Sequence, residues 1–336
     1  MHNIKTSLVN LGHFLSETNN NAELERIIHK AYLKNKWFTP EFIRYNLQYW
    51  SRHLQIDKID AWLDAYPPPE NPGKTVGIVM AGNIPLVGMH DMISVLLSGH
   101  KALIKASSKD KVLIEFVADF LADNNPALKD KIHITEGFFT DVDAVLATGS
   151  NNTARYFDYY FKNVPHIIRR NRNGVAVLHG NESDEQLQNL AKDVFLYFGL
   201  GCRNVSKIYL PEEMNEKRLL DNMGSFQYFM QHNKYMNNYM YQRAFMLIDR
   251  EPHLDNDFLL LRENPAIASP VAVLHYERYK KPEDLLIHLK HQKEQIQCIA
   301  AENISIENAV KFGKTQHPEL NTYADDVDSM KFLLHL

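Results

Sequence analysis

Residues 75–105 read TVGIVMAGNIPLVGMHDMISVLLSGHKALIK and contain the pattern that decides the fold. The apolar runs at 75–80 and 101–105 are typical of short buried strands, and the residues from about 87 to 98 between them have the spacing of a helix. This order of strand, helix and strand indicates the repeating unit of a parallel sheet.

The alternation continues along the chain. Further strands are predicted at 131–135, 144–147 and 175–178, and helices at 112–123 and 151–162. The pattern predicts an α/β protein with a mostly parallel, doubly wound sheet. In such sheets ligands bind beyond the carboxyl ends of the strands. Small and polar residues follow the strands in the segments AGN (81–83), KASSK (105–109), EG (136–137) and TGS (148–150), so we expect a ligand site there.

The flanking regions complete the predicted domain organisation. Residues 1 to about 65 have helical spacing, and the proline-rich stretch 67–73 reads as a linker. Beyond residue 178 we predict helices at 185–197, 214–241 and 282–301, strands at 208–210 and 271–276, and a C-terminal tail that is mostly loop. The domains expected are an N-terminal helical segment (1–70), a cofactor-binding domain (71–178) and a catalytic domain with the tail (179–336). The Met- and aromatic-rich helix at 214–241 either lines an acyl-binding cavity or is an ordinary helix with one core face.

Composition excludes several classes of protein. The 336 residues are 45% hydrophobic, and the formal net charge of −4 shows no basic excess, so nucleic acid is not an expected partner. Two cysteines cannot supply a disulfide framework or a Cys-rich zinc site, and they suit a reducing cytoplasm. We predict no metal site. No stretch has the length and hydropathy of a membrane span, and the start has no signal-peptide pattern.

A cysteine stands on the connection between the helix predicted at 185–197 and the strand predicted at 208–210. Residues 198–206 read FGLGCRNVS, with a glycine on each side of Leu200 and Cys202 next. Glycine is tolerated where the backbone must bend or allow a close approach. Cys202 is therefore either a nucleophile held on structured flanks or a small buried residue. Cys298 falls within the helix predicted at 282–301, and we expect a structural role for it.

The order and separation of these motifs, from about 75 to 271, resemble the aldehyde dehydrogenase superfamily, and more closely its LuxC-like acyl-CoA reductase branch. The resemblance implies an aldehyde dehydrogenase-like fold with two doubly wound α/β domains and an N-terminal helical segment. It also implies that Cys202 is the nucleophile and that the Asn83 side chain stabilises the oxyanion. On its own, Asn83 could equally cap the following helix.

The resemblance further implies a nicotinamide cofactor. It assigns cofactor-binding roles at the carboxyl edge of the sheet to Lys105, Ser107, Ser108, Gly137, Gly149 and Ser150. Many family members have an acidic residue at the position of Ser108, and here Lys109 stands beside that serine. Losing a carboxylate and gaining positive charge favours a 2′-phosphate, so we expect NADPH, with NADH as the alternative. Taken without the family, Lys105 could be a solvated side chain and Gly149–Ser150 an ordinary turn before a helix.

Two departures from the family pattern shape the functional hypothesis. The segment 169–174, RRNRNG, lacks the glutamate that activates water in aldehyde-oxidising members, and the later Glu–x–Phe cofactor contact is missing. The first departure fits transfer of the acyl group from a thiol, because a thiolate needs no such base. We therefore predict an NADPH-dependent acyl-CoA reductase that forms an aldehyde and that self-associates, as superfamily members commonly do.

Other interpretations stay open from the sequence. One is a reductase of another acyl donor, such as an acyl-protein thioester or acyl phosphate. The other is an acyl-transfer or binding protein with a degenerate cofactor site. Arg169, Arg170 and Arg172 either bind coenzyme A phosphates or form ordinary ion pairs.

Overall fold

The computed structural model describes residues 2–18 and 21–336, which divide into two compact units. Unit 1 comprises residues 1–171 and 319–336, and unit 2 comprises residues 172–318. Each unit has its own β-sheet and its own hydrophobic core. The predicted α/β fold class is thus confirmed.

Unit 1 is built on a five-stranded sheet with the order β3-β2-β1-β4-β5 in which every pair is parallel. Its strands are β1 (Thr75–Val79), β2 (Lys101–Lys105), β3 (Ile132–Ile134), β4 (Ala144–Thr148) and β5 (His166–Arg169). This is the strand order of a doubly wound nucleotide-binding sheet. The first four strands were predicted from their apolar runs; β5 was not, because it is short and runs into the arginine cluster.

Helices cover this sheet and form the N-terminal region of unit 1. Those described are α1 (His2–Ser16), α2 (Ala22–Lys34), α3 (Pro40–His53), α4 (Ile56–Leu63), α5 (Met89–Leu97), α6 (Lys111–Asn124) and α7 (Asn151–Tyr160). Helix α3 begins as its sequence suggests: Thr39 Oγ1 accepts a hydrogen bond from the Phe42 N–H, and Pro40 occupies the first turn. The N-terminal helical segment is therefore confirmed within the described residues.

The C-terminal segment packs into unit 1. Its helix α12 (Ser329–Leu334) buries Met330 and Leu333 in the same core as α5. The His100 side chain donates a hydrogen bond from Nε2 to the Leu333 carbonyl oxygen at 2.8 Å, and Trp62 donates one to the Tyr323 hydroxyl at 2.7 Å. Packing and hydrogen bonds together therefore assign residues 319–336 to unit 1, whereas the sequence placed them with the catalytic domain.

Unit 2 is built on a six-stranded sheet with the order β11-β6-β7-β10-β9-β8, parallel except for the β8–β9 pair. Its strands are β6 (Asn173–Val177), β7 (Val205–Pro211), β8 (Leu254–Asp255), β9 (Leu260–Glu263), β10 (Val273–Tyr279) and β11 (Ile296–Ala301). Its helices are α8 (Asp184–Phe195), α9 (Glu216–Asp221), α10 (Asn233–Ile248) and α11 (Pro282–His291). Residues 172–178 were predicted to end the cofactor-binding domain (71–178). They belong to unit 2 instead, because β6 pairs with β7.

Two helices predicted in unit 2 are wrong in extent. The helix expected at 282–301 ends at His291, and the apolar residues beyond it form β11, which pairs with β6. The helix expected at 214–241 is divided: α9 and α10 flank a 3₁₀ stretch at Gly224–Gln231. Across the described residues, no helix combines the length and the apolar character that crossing a membrane requires.

Candidate active site

Asn83 lies on the loop that follows β1, at the carboxyl edge of the unit 1 sheet. This loop packs tightly against the segment that follows β2: a Cβ added to Gly82 would lie 2.5 Å from Ser107 Oγ. Only glycine fits at such a contact, since the clash would fall on the neighbouring loop. The structure thus brings the predicted Asn83 and Ser107 segments together.

The remaining unit 1 residues of the predicted site lie along the same edge. Lys105 ends β2, with its Nζ 4.9 Å from the centroid of the Phe138 ring on the loop after β3. Gly137 on that loop donates its N–H to Thr135 Oγ1 at 3.1 Å. Ser108 and Lys109 are exposed beside Ser107. This edge therefore presents backbone N–H groups, hydroxyls and lysines together.

Gly149 and Ser150 connect β4 to α7. Ser150 Oγ caps the helix by accepting a hydrogen bond from the Thr153 N–H at 3.2 Å. A Cβ at Gly149 would lie 3.1 Å from the side chains of Phe157 and Thr153, so the turn is tight against its own helix. A helix N-terminus with small residues before it suits a phosphate-bearing ligand.

Cys202 lies in unit 2 on the connection between α8 and β7, and its side chain is partly exposed. The backbone before it is unusual: Tyr197 and Phe198 are buried with φ of 55° and 57°, and Gly199 has φ of 74°. The sharp bend that the glycines predicted is therefore present, although two non-glycine residues share it. Buried Phe198 packs against Phe229 and His232, with both ring centroids at 4.5 Å.

Asn204 fixes this connection, and the sequence did not reveal it. Its buried side-chain amide donates to the carbonyl oxygens of Asp193 and Leu196, each at 2.9 Å, while its Oδ1 accepts from the Gly201 N–H at 2.8 Å. One side chain therefore satisfies carbonyls at the end of α8 and holds the residue before Cys202. The pattern that could have revealed it is an asparagine shortly after a helix end, since asparagine readily bonds nearby backbone.

Gly174 supports the same connection from β6. It donates its N–H to the Asn204 carbonyl oxygen at 2.9 Å, and a Cβ at this position would lie 2.7 Å from the Arg203 oxygen and 2.8 Å from that of Asn204. The space for a side chain is thus filled by the backbone that carries Cys202.

Asp193 links α8 to residues 313–315. Its carboxylate accepts hydrogen bonds from the Gly313 N–H at 2.6 Å and from the N–H and hydroxyl of Thr315 at 3.0 and 2.8 Å. The Thr315 carbonyl oxygen in turn accepts from Arg203 Nε at 2.5 Å. Burial raises the pKa of Asp193 to about 6, although these donors favour the charged form.

The arginine cluster is occupied by contacts within the chain. Arg169 forms a buried ion pair with Asp91, Arg170 forms an exposed one with Asp158, and Arg172 donates to the Lys293 carbonyl oxygen at 3.3 Å. These contacts favour the ion-pair interpretation over coenzyme A binding. In the described part of the chain, no three His, Cys, Asp or Glu side chains are grouped so that they could hold a metal ion.

Replacing Gly174 with alanine is expected to displace the Cys202 connection, because neither clashing backbone oxygen can turn away. We expect the free energy of unfolding to fall by about 1–3 kcal/mol, and Cys202 to react with iodoacetamide at an altered rate. Chemical denaturation and peptide-resolved mass spectrometry measure the two effects. Gly224→Ala is the control, since no atom lies within 4 Å of the added Cβ. Equal behaviour of the two variants would contradict the role of Gly174.

The pH dependence of the free energy of unfolding should reveal the raised pKa of Asp193. A carboxyl whose pKa is higher in the folded chain binds more protons when folded, so stability falls as pH rises between the unfolded value of 3.8 and about 6. The loss is at most about 3 kcal/mol, since each unit of pKa corresponds to about 1.4 kcal/mol, and it levels off above that window. Denaturant titrations of wild type and Asp193→Asn from pH 4 to 7 measure the difference between them. A difference that does not change with pH would contradict the assignment.

Solved structures show the same fold. An aldehyde dehydrogenase from Mycobacterium tuberculosis complexed with NAD⁺ is 13% identical with a TM-score of 0.69, the match covering 94% of this chain and 75% of that one. Aldehyde dehydrogenase 21 from Physcomitrella patens, in complex with succinate, is 10% identical with a TM-score of 0.69 and coverages of 97% and 78%. An NAD-dependent benzaldehyde dehydrogenase from Corynebacterium glutamicum is 12% identical with a TM-score of 0.68 and coverages of 93% and 78%.

The sequence itself matches one family. No curated protein matched it significantly, but the profile of the family described as acyl-CoA reductase (LuxC) matches residues 53–222, just over half of the chain. The matched region contains both Asn83 and Cys202. The chain therefore belongs to the LuxC acyl-CoA reductase family, which makes it an enzyme, and it has the fold of the aldehyde dehydrogenases.

Proposed function

We propose that the protein reduces an acyl-CoA thioester to an aldehyde through an acyl-enzyme on Cys202, with NADPH as the reductant. The observation that carries the proposal is the partly exposed Cys202 on a connection held by Asn204 and Gly174, within the region that matches the family. A nucleophile on a rigid support meets the geometric demand of covalent catalysis.

In the proposed cycle, the Cys202 thiolate attacks the thioester carbonyl, coenzyme A leaves as its thiolate, and the acyl group stays on the Cys202 sulfur. The backbone N–H of Cys202 and the side-chain amide of Asn83 stabilise the oxyanion. The assignment of Asn83 rests on the resemblance of its segment to the family, and not on a distance to Cys202. When bound, the nicotinamide supplies the hydride that reduces the acyl-enzyme. The resulting hemithioacetal releases aldehyde, and Cys202 leaves as the thiolate.

Residues 172–174 support reduction over oxidation to an acid. Arg172, Asn173 and Gly174 run into the strand that packs against the Cys202 connection, and none carries a carboxylate. Hydrolysis of the acyl-enzyme needs a base to activate water, whereas exchange with a thiol does not. The missing glutamate is thus consistent with an acyl group that enters from coenzyme A and departs as aldehyde.

The cofactor assignment is supported by the carboxyl edge of unit 1. Lys105, Ser107, Ser108, Gly137, Gly149 and Ser150 are proposed to hold the dinucleotide. The helix N-terminus after Ser150 suits a phosphate-bearing ligand, and the tight packing of Gly82 against Ser107 holds the loops after β1 and β2 together. The similar structure from Mycobacterium tuberculosis is described as an NAD⁺ complex, which supports a nicotinamide cofactor in general. The choice of NADPH rests on Ser108 and Lys109.

We also propose a homo-oligomeric enzyme of the cytoplasm. The first proposal follows the superfamily resemblance. The second follows the two cysteines, neither of which forms a disulfide.

Mass spectrometry of the intact protein mixed with a panel of acyl-CoAs tests the acyl-enzyme. We expect an acyl adduct on wild type and on the Cys298→Ala control, and none on Cys202→Ala, because only Cys202 is the proposed nucleophile. Reduction of acyl-CoA by the Cys202→Ala protein would exclude Cys202 from the mechanism.

Asn83→Ala should lower kcat by about 10²–10³, as expected for loss of an oxyanion donor. An unchanged kcat for Asn83→Ala would exclude Asn83.

Steady-state kinetics with both nicotinamides test the cofactor. Lys109→Ala should raise KM for NADPH about tenfold and leave KM for NADH unchanged, because only the 2′-phosphate loses a charge-assisted hydrogen bond. Lys101→Ala is the matched control, since Lys101 is an exposed lysine at the opposite end of β2. Equal efficiency of wild type with the two cofactors would contradict the proposed preference.

A further inference from the structure

Cys298, expected to be a structural residue on a helix, is a strand residue beside the Cys202 connection. It lies on β11 opposite Gly174 of β6, and Gly174 lies opposite Val205 of β7. Its Sγ donates to the carbonyl oxygen of Arg203, the residue after Cys202, at 3.7 Å. Because Gly174 has no side chain, nothing at that strand position separates the Cys298 sulfur from the connection.

The electrostatics agree with this proximity. Burial raises the pKa of Cys298 to about 11; the Arg203 guanidinium lowers it, while Cys202 and Asp193 raise it further. Cys298 is therefore a protonated thiol at neutral pH. Both residues are half-buried, and the first oxidation needs a small oxidant to reach Cys202 alone.

We propose that Cys202 and Cys298 form a reversible intramolecular disulfide when the enzyme meets a hydroperoxide. Cys202 attacks the peroxide oxygen, giving a sulfenic acid and releasing one water or alcohol. The Cys298 sulfur then attacks the Cys202 sulfur, and the sulfenic oxygen departs as water with the Cys298 proton. The two thiols are oxidised by two electrons and the peroxide is reduced by two. The inference rests on the proposed reactivity of Cys202, but not on the acyl substrate.

Formation of the sulfenic acid on Cys202 favours the later attack by Cys298. A sulfenic acid carries no charge at neutral pH, so forming it removes the negative charge with which Cys202 raises the Cys298 pKa. Cys298 then ionises more readily. Closing the bond requires the two Cβ atoms to come within about 4.5 Å. The carbonyl oxygen that accepts the Cys298 hydrogen bond belongs to the residue after Cys202, so closing the bond requires residues 199–203 to move.

Peroxide titration of the full-length protein tests this proposal. Wild type, treated with hydrogen peroxide at equimolar ratio and then alkylated, should lose both alkylation sites and about 2 Da, with Cys202 and Cys298 in one cross-linked peptide. Dithiothreitol should restore both thiols. Cys298→Ser keeps the shape of the side chain, and with at least two equivalents of peroxide its Cys202 should instead gain about 32 Da as sulfinic acid, which dithiothreitol does not reverse. Circular dichroism of the variant checks its fold.

Three outcomes would overturn the disulfide. They are equal rates of sulfinic acid formation in wild type and Cys298→Ser, a disulfide between two chains, and the same cross-link yield in denaturant as in the folded protein. None of these readouts involves acyl-CoA or NADPH. A failed acyl-enzyme experiment and a failed disulfide experiment are therefore distinguishable.

Discussion

The position of Cys202 depends on the buried side-chain amide of Asn204. Carbonyl groups at the end of a helix lack partners within the helix, and an unsatisfied buried carbonyl is costly. Asn204 supplies two N–H donors to such carbonyls, at Asp193 and Leu196, and holds the Gly201 N–H with its oxygen. Two consecutive left-handed residues precede Cys202, at roughly 1–3 kcal/mol each. The amide contacts and the burial of Phe198 offset that strain.

The sequence predicted those features that depend on local periodicity. The strands β1 to β4 are short apolar runs between helices, and the loops after them carry the small residues of the predicted site. Their placement follows because parallel strands share a carboxyl edge. By contrast, β11 was assigned to a helix, since no glycine or proline separates His291 from Ile296 and a short apolar run fits either element. Pairing with β6 decides it, and pairing is a tertiary effect.

The arrangement of the residues around Cys202 also depends on tertiary contacts that local periodicity does not reveal. The glycines at 199 and 201 indicated a bend, but the partners of Asn204, Gly174 and Cys298 come from distant strands or from backbone geometry. The arginines at 169–172 look alike in sequence, yet Arg169 is buried against Asp91 while Arg170 is exposed. A buried charge requires a partner, so Asp91 fixes Arg169 as a structural residue. The buried ion pair leaves the Arg169 guanidinium committed to Asp91.

The return of the C-terminal segment to unit 1 has a consequence for biosynthesis. A ribosome releases residues 172–318 before residues 319–336, so the whole of unit 2 emerges while unit 1 still lacks α12. Until Met330 and Leu333 arrive, the apolar surface of α5 that they cover stays exposed on the nascent chain. Such exposed surface is what chaperones recognise during synthesis. Unit 2 is thus the first that can finish folding, and unit 1 finishes last because it waits for α12.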